Sequence, residues 1–422
     1  MKKFLPLALL LSLVVSLTAC TKKETSNIKE LHLTISAKVK GMDPIYANDV
    51  YSSNEVARVY EGLLEYHYLK RPYTLVPNLA EALPVVADNG LTYTFKLKKG
   101  VMFHNDAAFK EGKGREVTAE DFVYSIKRLA DPKLQALGWW LLDGKVKGLN
   151  DWRAKYASLP KVDYTEEVEG LKALDRYTLQ FKLAKPFPQF LYSLAMPFTF
   201  VVAKEAVTKY GKEFINHPVG TGPFVLPVFR QSNKISYTKN PAFRKKIYPT
   251  DASAEFKHLL KDAGKTLPFV DKVVVDILVE SQPRWLNFQK GKIDFIAIPK
   301  DNFDSAIIPG KGVTDELAKK GISLLVTPSL DVTYTAYNHD RKLFSNVKLR
   351  QAMSAAYDPS ASNTLFYNSN ALPAQSVVPP GIAGNIKGYT NPFHGQNIEL
   401  AKKLLAEAGY PEGKGLPEIT YD

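Results

Sequence analysis

One cysteine, Cys20, occurs in 422 residues. That scarcity excludes a disulfide framework within the chain and any zinc or iron–sulfur site built from several cysteines. The seven histidines are scattered, with none at the close spacing of a helical metal site. No G-x-S-x-G or H-E-x-x-H string is present. Gly264-Lys265-Thr266 matches the end of a phosphate-binding loop, but the position that must be glycine is Leu259. Ser26 and Ser345 each stand three residues before a lysine, without the companion motifs of penicillin-binding enzymes. Basic runs are short: the longest is Arg244-Lys245-Lys246, although the formal net charge is +13. Nucleic acid is therefore not an expected partner. These absences lead us to expect no enzyme, no cofactor and no metal site.

What is present describes an exported globular protein. The chain is 45% apolar, 23% charged and 11% aromatic, an ordinary packed composition, and its length suggests two or three domains. Lys2 and Lys3 precede an apolar stretch, Phe4 to Ala19, too short to span a bilayer well but suited to a signal peptide. It ends in Leu17-Thr18-Ala19-Cys20, which resembles the bacterial lipobox. Residues 1–19 are thus expected to be a lipoprotein signal peptide. Cys20 is the expected lipidated residue, and 20–31 a flexible polar tether. The alternative is an ordinary signal peptide with an incidental cysteine. The expected location is extracytoplasmic, anchored to a bacterial membrane, in the periplasm or at the cell surface. Thr21 in place of Asp permits outer-membrane sorting. No later stretch reaches eighteen apolar residues.

Beyond the tether, strand and helix patterns alternate. Leu31–Ile35, Leu91–Leu97 and Leu179–Leu183 alternate apolar and polar residues, as half-buried strands do. Lys272–Ile277 is denser and reads as a strand buried on both faces. Thr118 and Asp121 form a capping box before a helix carrying Phe122, Ile126 and Leu129, ended at Asp131-Pro132. Ser345 is the expected cap of a helix through Leu349, Ala352, Met353 and Ala356, ended by Asp358-Pro359. A third stripe, Ile398, Ala401, Leu405 and Ala408, closes at Gly409 and Pro411. Loops are expected at 105–116, 216–223, 378–384 and 411–417. His104 follows a strand pattern and reads as structural.

Several strings resemble one family in order. They are Met42-Asp43-Pro44 with Tyr60-Glu61-Gly62-Leu63, the block Tyr93–His104, Thr118–Ser125, and Pro218-Val219-Gly220-Thr221-Gly222-Pro223-Phe224. Then come Asn240-Pro241-Ala242-Phe243, Gly291-Lys292-Ile293-Asp294, Phe344–Ala352 and Ala401–Tyr410. The chain resembles extracellular solute-binding protein family 5, the receptors of ABC importers for oligopeptides, dipeptides and related solutes.

The resemblance implies an α/β fold, a two-lobed periplasmic-binding-protein clamp with an extra subdomain on the first lobe. It places the first lobe at 32–64 plus 198–278, the extra subdomain at 65–197 and the second lobe at 279–422. Family members continue past the last helix, so the second lobe is expected to be incomplete. The implied function is binding of an oligopeptide between the lobes and its delivery to the permease subunits of an ABC transporter, by a monomer. The alternatives are another solute of the same family (dipeptide, nickel, haem, sugar or opine) or a cell-envelope hydrolase. Asn48, Asp49 and Val50 align with a first-lobe loop that contacts peptide backbone; the alternative is an ordinary turn after Pro44. Trp139 and Trp140 lie near a ligand-touching aromatic. Adjacent tryptophans of a strand cannot both face the core, so one is expected to line the cleft, with core packing as the alternative. Thr333, Tyr334 and Asn338 are expected in a second-lobe strand bordering the cleft.

Overall fold

The computed structural model describes residues 28–230, 233–327 and 329–420. The leader and Cys20 lie outside the described residues. Among those described, no helix is long and apolar enough to cross a membrane.

The central sheet has four strands. Glu30–Ile35 runs parallel to Lys272–Ile277, in register from Glu30 opposite Lys272 to Ile35 opposite Ile277. Lys234–Lys239 pairs antiparallel with the other edge of Lys272–Ile277, and Phe224–Val225 completes the sheet. The middle position of Lys272–Ile277 explains its dense apolar run: Val273, Val274 and Val275 are all buried. The parallel pairing of chain ends far apart in sequence forms a base with two poles. Chain enters at Lys29 and Asp271 on one pole and leaves at Ile35 and Ile277 on the other.

A second, antiparallel sheet is ordered Val85–Ala87, Thr92–Lys96, Thr178–Lys182, Leu171–Asp175. The helix Ala119–Ala130 packs on it through buried Phe122, Ile126 and Leu129. Its start carries the expected box: the Thr118 N–H donates to the Asp121 carboxylate at 2.8 Å. Phe95 and Phe181 meet edge-to-face across neighbouring strands, with centroids 6.1 Å apart. Both are fully buried, a contribution of roughly 2–3 kcal/mol each. One continuous apolar cluster runs through both sheets, from Val39 to Ile277.

From 281 onward the packing divides into small clusters, one around Trp285, Ala306 and Leu317 and one around Ala352, Ala355, Ala401 and Leu404. Two expectations fail here. The helix Val347–Ala356 is capped by Asn346, not Ser345: Asn346 Oδ1 accepts the N–H groups of Lys348 and Leu349. The Ser345 hydroxyl is committed to the Lys342 carbonyl at 2.7 Å. Asp358-Pro359 does end that helix, and Asp358 also caps another, Pro359–Tyr367. The second failure is the strand at 333–338: no sheet partner is found for it among the described residues, and apart from Tyr337, which packs on Phe344, the segment is exposed. A segment becomes a sheet strand only where a neighbour takes its N–H and C=O groups.

Candidate ligand-binding site

In open α/β sheets ligands settle outside the carboxyl ends of parallel strands. Here those ends are Ile35 and Ile277, joined onward by the Leu278 N–H to the Ile35 carbonyl. The loop 36–49 leaves this edge and contains Asn48 and Asp49. Asp49 caps the helix Val50–Val59: one carboxylate oxygen accepts the Ser52 N–H at 2.8 Å, the other the Ser52 hydroxyl at 2.8 Å. Burial opposes the charge on Asp49, but these bonds and nearby Lys40 outweigh it and hold the carboxyl below its ordinary range. Asn48 Oδ1 accepts from Lys40 Nζ at 2.9 Å. Val50, in the first turn, is 71% exposed. The three residues thus form one rigid, open corner whose polar groups partly satisfy each other.

The tryptophans lie beside this corner. They occupy a single 3-10 turn, Trp139–Leu141, not a strand. The turn still divides them: Trp139 packs on the core under the Arg153 guanidinium, 4.8 Å from its ring centre, while Trp140 is 59% exposed. The preceding segment is stitched to the corner by the Leu137 N–H to the Ile45 carbonyl and by the Tyr46 hydroxyl to the Leu134 carbonyl. Residues 48–50 and 139–140 are therefore carried on tied segments. Thr333, Tyr334 and Asn338 show no such link. Thr333 Oγ1 meets the Tyr367 hydroxyl at 3.1 Å, Tyr334 is exposed, and Asn338 Oδ1 accepts the Asp340 N–H within a local turn.

Sequence reasoning passed over Ser36, Lys40 and Tyr51. Ser36 Oγ and the Tyr51 hydroxyl are 2.7 Å apart at the same edge. Ser36 follows the parallel strand directly, and Tyr51 reaches it from the first turn of the next helix, a placement readable only once pairing is known. A cavity of about 490 Å³ is lined by Arg115, Tyr124, Lys127, Tyr164 and Lys204 on the second sheet's side, and includes none of the candidate residues. Among the described residues no cluster of three His, Cys, Asp or Glu side chains could hold a metal ion.

The strings that marked the family prove to be scaffold. Glu61 is buried and accepts both Arg244 guanidinium nitrogens, at 2.6 and 2.7 Å, and the Thr221 hydroxyl at 2.9 Å. Arg244 reaches on to Asn78 at 2.6 Å. Asn240 donates to the Gly222 carbonyl at 3.0 Å, and His104 Nε2 binds the same oxygen at 3.0 Å. The Gly222 N–H donates to the Val59 carbonyl at 2.8 Å, at the last turn of the helix that Asp49 begins. Helix Val50–Val59 is thus clamped at both ends, which fixes the corner.

His104 supplies a pH test. It is 2% exposed; Nε2 donates to a carbonyl, and Nδ1 has no partner among the described residues. Burial depresses its pKa, outweighing the raising effects of the Gly222 bond and of Glu61 and Asp106. The unfolded chain binds a proton below about pH 6.5 while the folded chain resists it, so this stability is present above that pH and is lost as pH falls toward the folded pKa. Wild type is expected to lose more melting temperature between neutral and mildly acid pH than His104→Gln does. Parallel pH profiles of the two would overturn the assignment.

Residues 74–421 match the family described as bacterial extracellular solute-binding proteins, family 5 Middle. The chain belongs to this family. Among curated family 5 relatives, a heme-binding protein A of Haemophilus influenzae is 29% identical over 93% of this chain, and a dipeptide-binding protein of Escherichia coli 27% over 96%. The alignments span 64% and 68% of those relatives' own lengths. A Helicobacter pylori periplasmic binding protein DppA, solved with the peptide STSA, superposes with a TM-score of 0.64 at 24% identity. The match covers 90% of this chain and 66% of that one. The fold is the two-lobed α/β fold of periplasmic binding proteins.

Proposed function

We propose that the protein is a lipid-anchored extracytoplasmic receptor that binds oligopeptides between two lobes and delivers them to an ABC importer, without acting on them chemically. The first lobe is 32–64 plus 198–278, with 65–197 as its added subdomain, and the second begins near 279. Cys20 carries the lipid, and the receptor works as a monomer with the permease subunits. The observation that carries the reading is the fixed, open corner at Asn48–Val50 beside exposed Trp140. It stands at the carboxyl edge of the sheet in a chain of this family. An extended peptide needs such a surface: backbone partners on one wall, an aromatic face on the other, and room for varied side chains.

Native mass spectrometry of the chain from Thr21, which keeps every described residue, tests the solute class. Added masses that denaturation resolves into short peptides support the proposal. A single non-peptide adduct, such as a haem, overturns it in favour of another solute. Trp140→Ala is expected to weaken peptide binding by about 2 kcal/mol, roughly thirtyfold in Kd, with an unchanged melting temperature. Trp139→Ala should instead lower the melting temperature, because that ring packs on the core. Unchanged peptide affinity in Trp140→Ala would remove it from the site.

A further inference from the structure

The pole opposite the candidate site carries an exposed array of aromatic rings. The hairpin strands Leu64–Tyr66 and Leu75–Pro77 and the excursion between Lys239 and Lys272 meet there. His67 Nε2 donates to Asp251 at 3.0 Å while its Nδ1 accepts the Leu69 N–H. Ser253 Oγ accepts the Arg71 N–H at 2.8 Å. These bonds fix the two segments together. On the surface they form, Tyr68, Tyr248 and Phe269 pack in a row with centroids 5.9 and 5.7 Å apart, and Tyr68 is 64% exposed. The Arg71 guanidinium lies 4.0 Å from the Tyr73 ring centre and 5.2 Å from that of Phe256.

The charge left over on this surface is mainly positive. Glu65, Asp251, Asp262 and Asp271 are each paired with a lysine. The side chains of Lys245, Lys257 and Lys261 are exposed and make no salt bridge or hydrogen bond among the described residues, although, beyond the Lys265 bond, Lys261 lies near enough to Asp262 to lower its carboxyl pKa. Among the described residues, Glu255 is the one carboxylate in the excursion without a partner to set against them. Rings with polar tips beside unneutralised lysines match the interface of an anionic bilayer, where each lysine near the surface contributes attraction.

The position adds a second argument. The Asp271 N–H donates to the Lys29 carbonyl at 2.8 Å, and Lys29 N–H to the Asp271 carboxylate at 3.1 Å. Phe269 is two residues away. The chain therefore enters the fold at the edge of this array. A lipid on Cys20 would hold Lys29 within about 30 Å of the membrane, the extended reach of nine residues.

We propose that this pole, centred on Tyr68, Phe269, Lys257 and Lys261, docks on the surface of an anionic phospholipid bilayer. The inference deepens the anchored reading and rests on it for its biological setting, but the contact itself needs no lipid on the protein. Its test uses the unlipidated chain from Thr21 and vesicles of phosphatidylcholine with or without phosphatidylglycerol. Partitioning onto the mixed vesicles only, weakening with added salt, is expected. Lys257→Ala with Lys261→Ala should lower the partition coefficient about thirtyfold, and Tyr68→Ala with Phe269→Ala should lower it further. Lys110→Ala with Lys403→Ala, exposed lysines elsewhere, should change it less than about twofold if the effect is local. Equal partitioning on both vesicle types, no partitioning, or equal losses in the two lysine pairs would each overturn the proposal. The anchor is read separately, from the mass of the Cys20 peptide of protein taken from membranes. A missing acyl chain with intact partitioning would sink the anchor alone.

Discussion

Asp43→Ala is expected to lower the unfolding free energy by about 3–5 kcal/mol, the cost of leaving a buried charge without its partner. Asp43 and Arg128 form a two-pronged pair, with nitrogen–oxygen distances of 2.7 and 3.1 Å. Both side chains are 4% exposed. Burial works against the Arg128 charge, but the Asp43 carboxylate more than offsets it and raises the guanidinium pKa. With Asp43 gone, Arg128 keeps its desolvation cost and loses the compensation, and its Nε already lacks a partner among the described residues. Asp43 also caps the turn Pro44–Tyr46, which leads into the corner at Asn48. Peptide affinity should therefore fall with stability. The control is the double variant Asp43→Leu with Arg128→Met: removing both charges should cost less than removing one. Denaturant unfolding of the three proteins decides it. A loss below about 1 kcal/mol in Asp43→Ala, the range of an exposed pair, would show that the pair is not buried in solution.

How much of this was legible in the sequence depends on where each pattern finds its partner. Strands at Glu30–Ile35, Thr92–Lys96, Thr178–Lys182 and Lys272–Ile277 were readable because their own alternation or density reports burial. The helix at Ala119–Ala130 was readable because cap and stripe are both local. The segment at 333–338 was expected as a strand only through the family resemblance, and no sheet partner is found for it among the described residues. Ser345 misses the cap by one residue: its hydroxyl is bound to Lys342, and the Asn346 side chain takes the role. The site divides the same way. Asp49 is reached through the family resemblance, whereas Ser36 and Tyr51 depend on a parallel pairing between strands far apart in the chain. The loop at 216–223 was recognised as a loop, but its burial was not. Proline and glycine report the turn; its backbone is satisfied by Val59, His104 and Asn240, all distant in sequence, and its Thr221 hydroxyl by Glu61.

That buried loop carries the second large effect. Gly220→Ala is expected to cost about 3 kcal/mol, the upper end of overpacking. A Cβ at Gly220 would lie 2.0 Å from the Val59 carbonyl oxygen and 2.8 Å from its carbon. Neither side can yield cheaply. The Val59 carbonyl accepts the Gly222 N–H, and the Gly220 carbonyl accepts the His104 N–H, both at 2.8 Å. Restoring ordinary contact means withdrawing the loop by over ~1 Å, which strains the Thr221–Glu61 and Asn240–Gly222 bonds together. Gly100 is the comparison. It has a φ of +73° and nothing within 4 Å of its Cβ position, so Gly100→Ala meets backbone strain without a clash, about 1 kcal/mol. Midpoints in urea for the two variants separate close approach from glycine's conformational freedom. Equal losses would mean that the loop relaxes and the contact with Val59 is not fixed. A loss several times larger in Gly220→Ala, with weaker peptide binding, would show that the motif holds the helix Val50–Val59 and, through it, the corner where Asp49 sits.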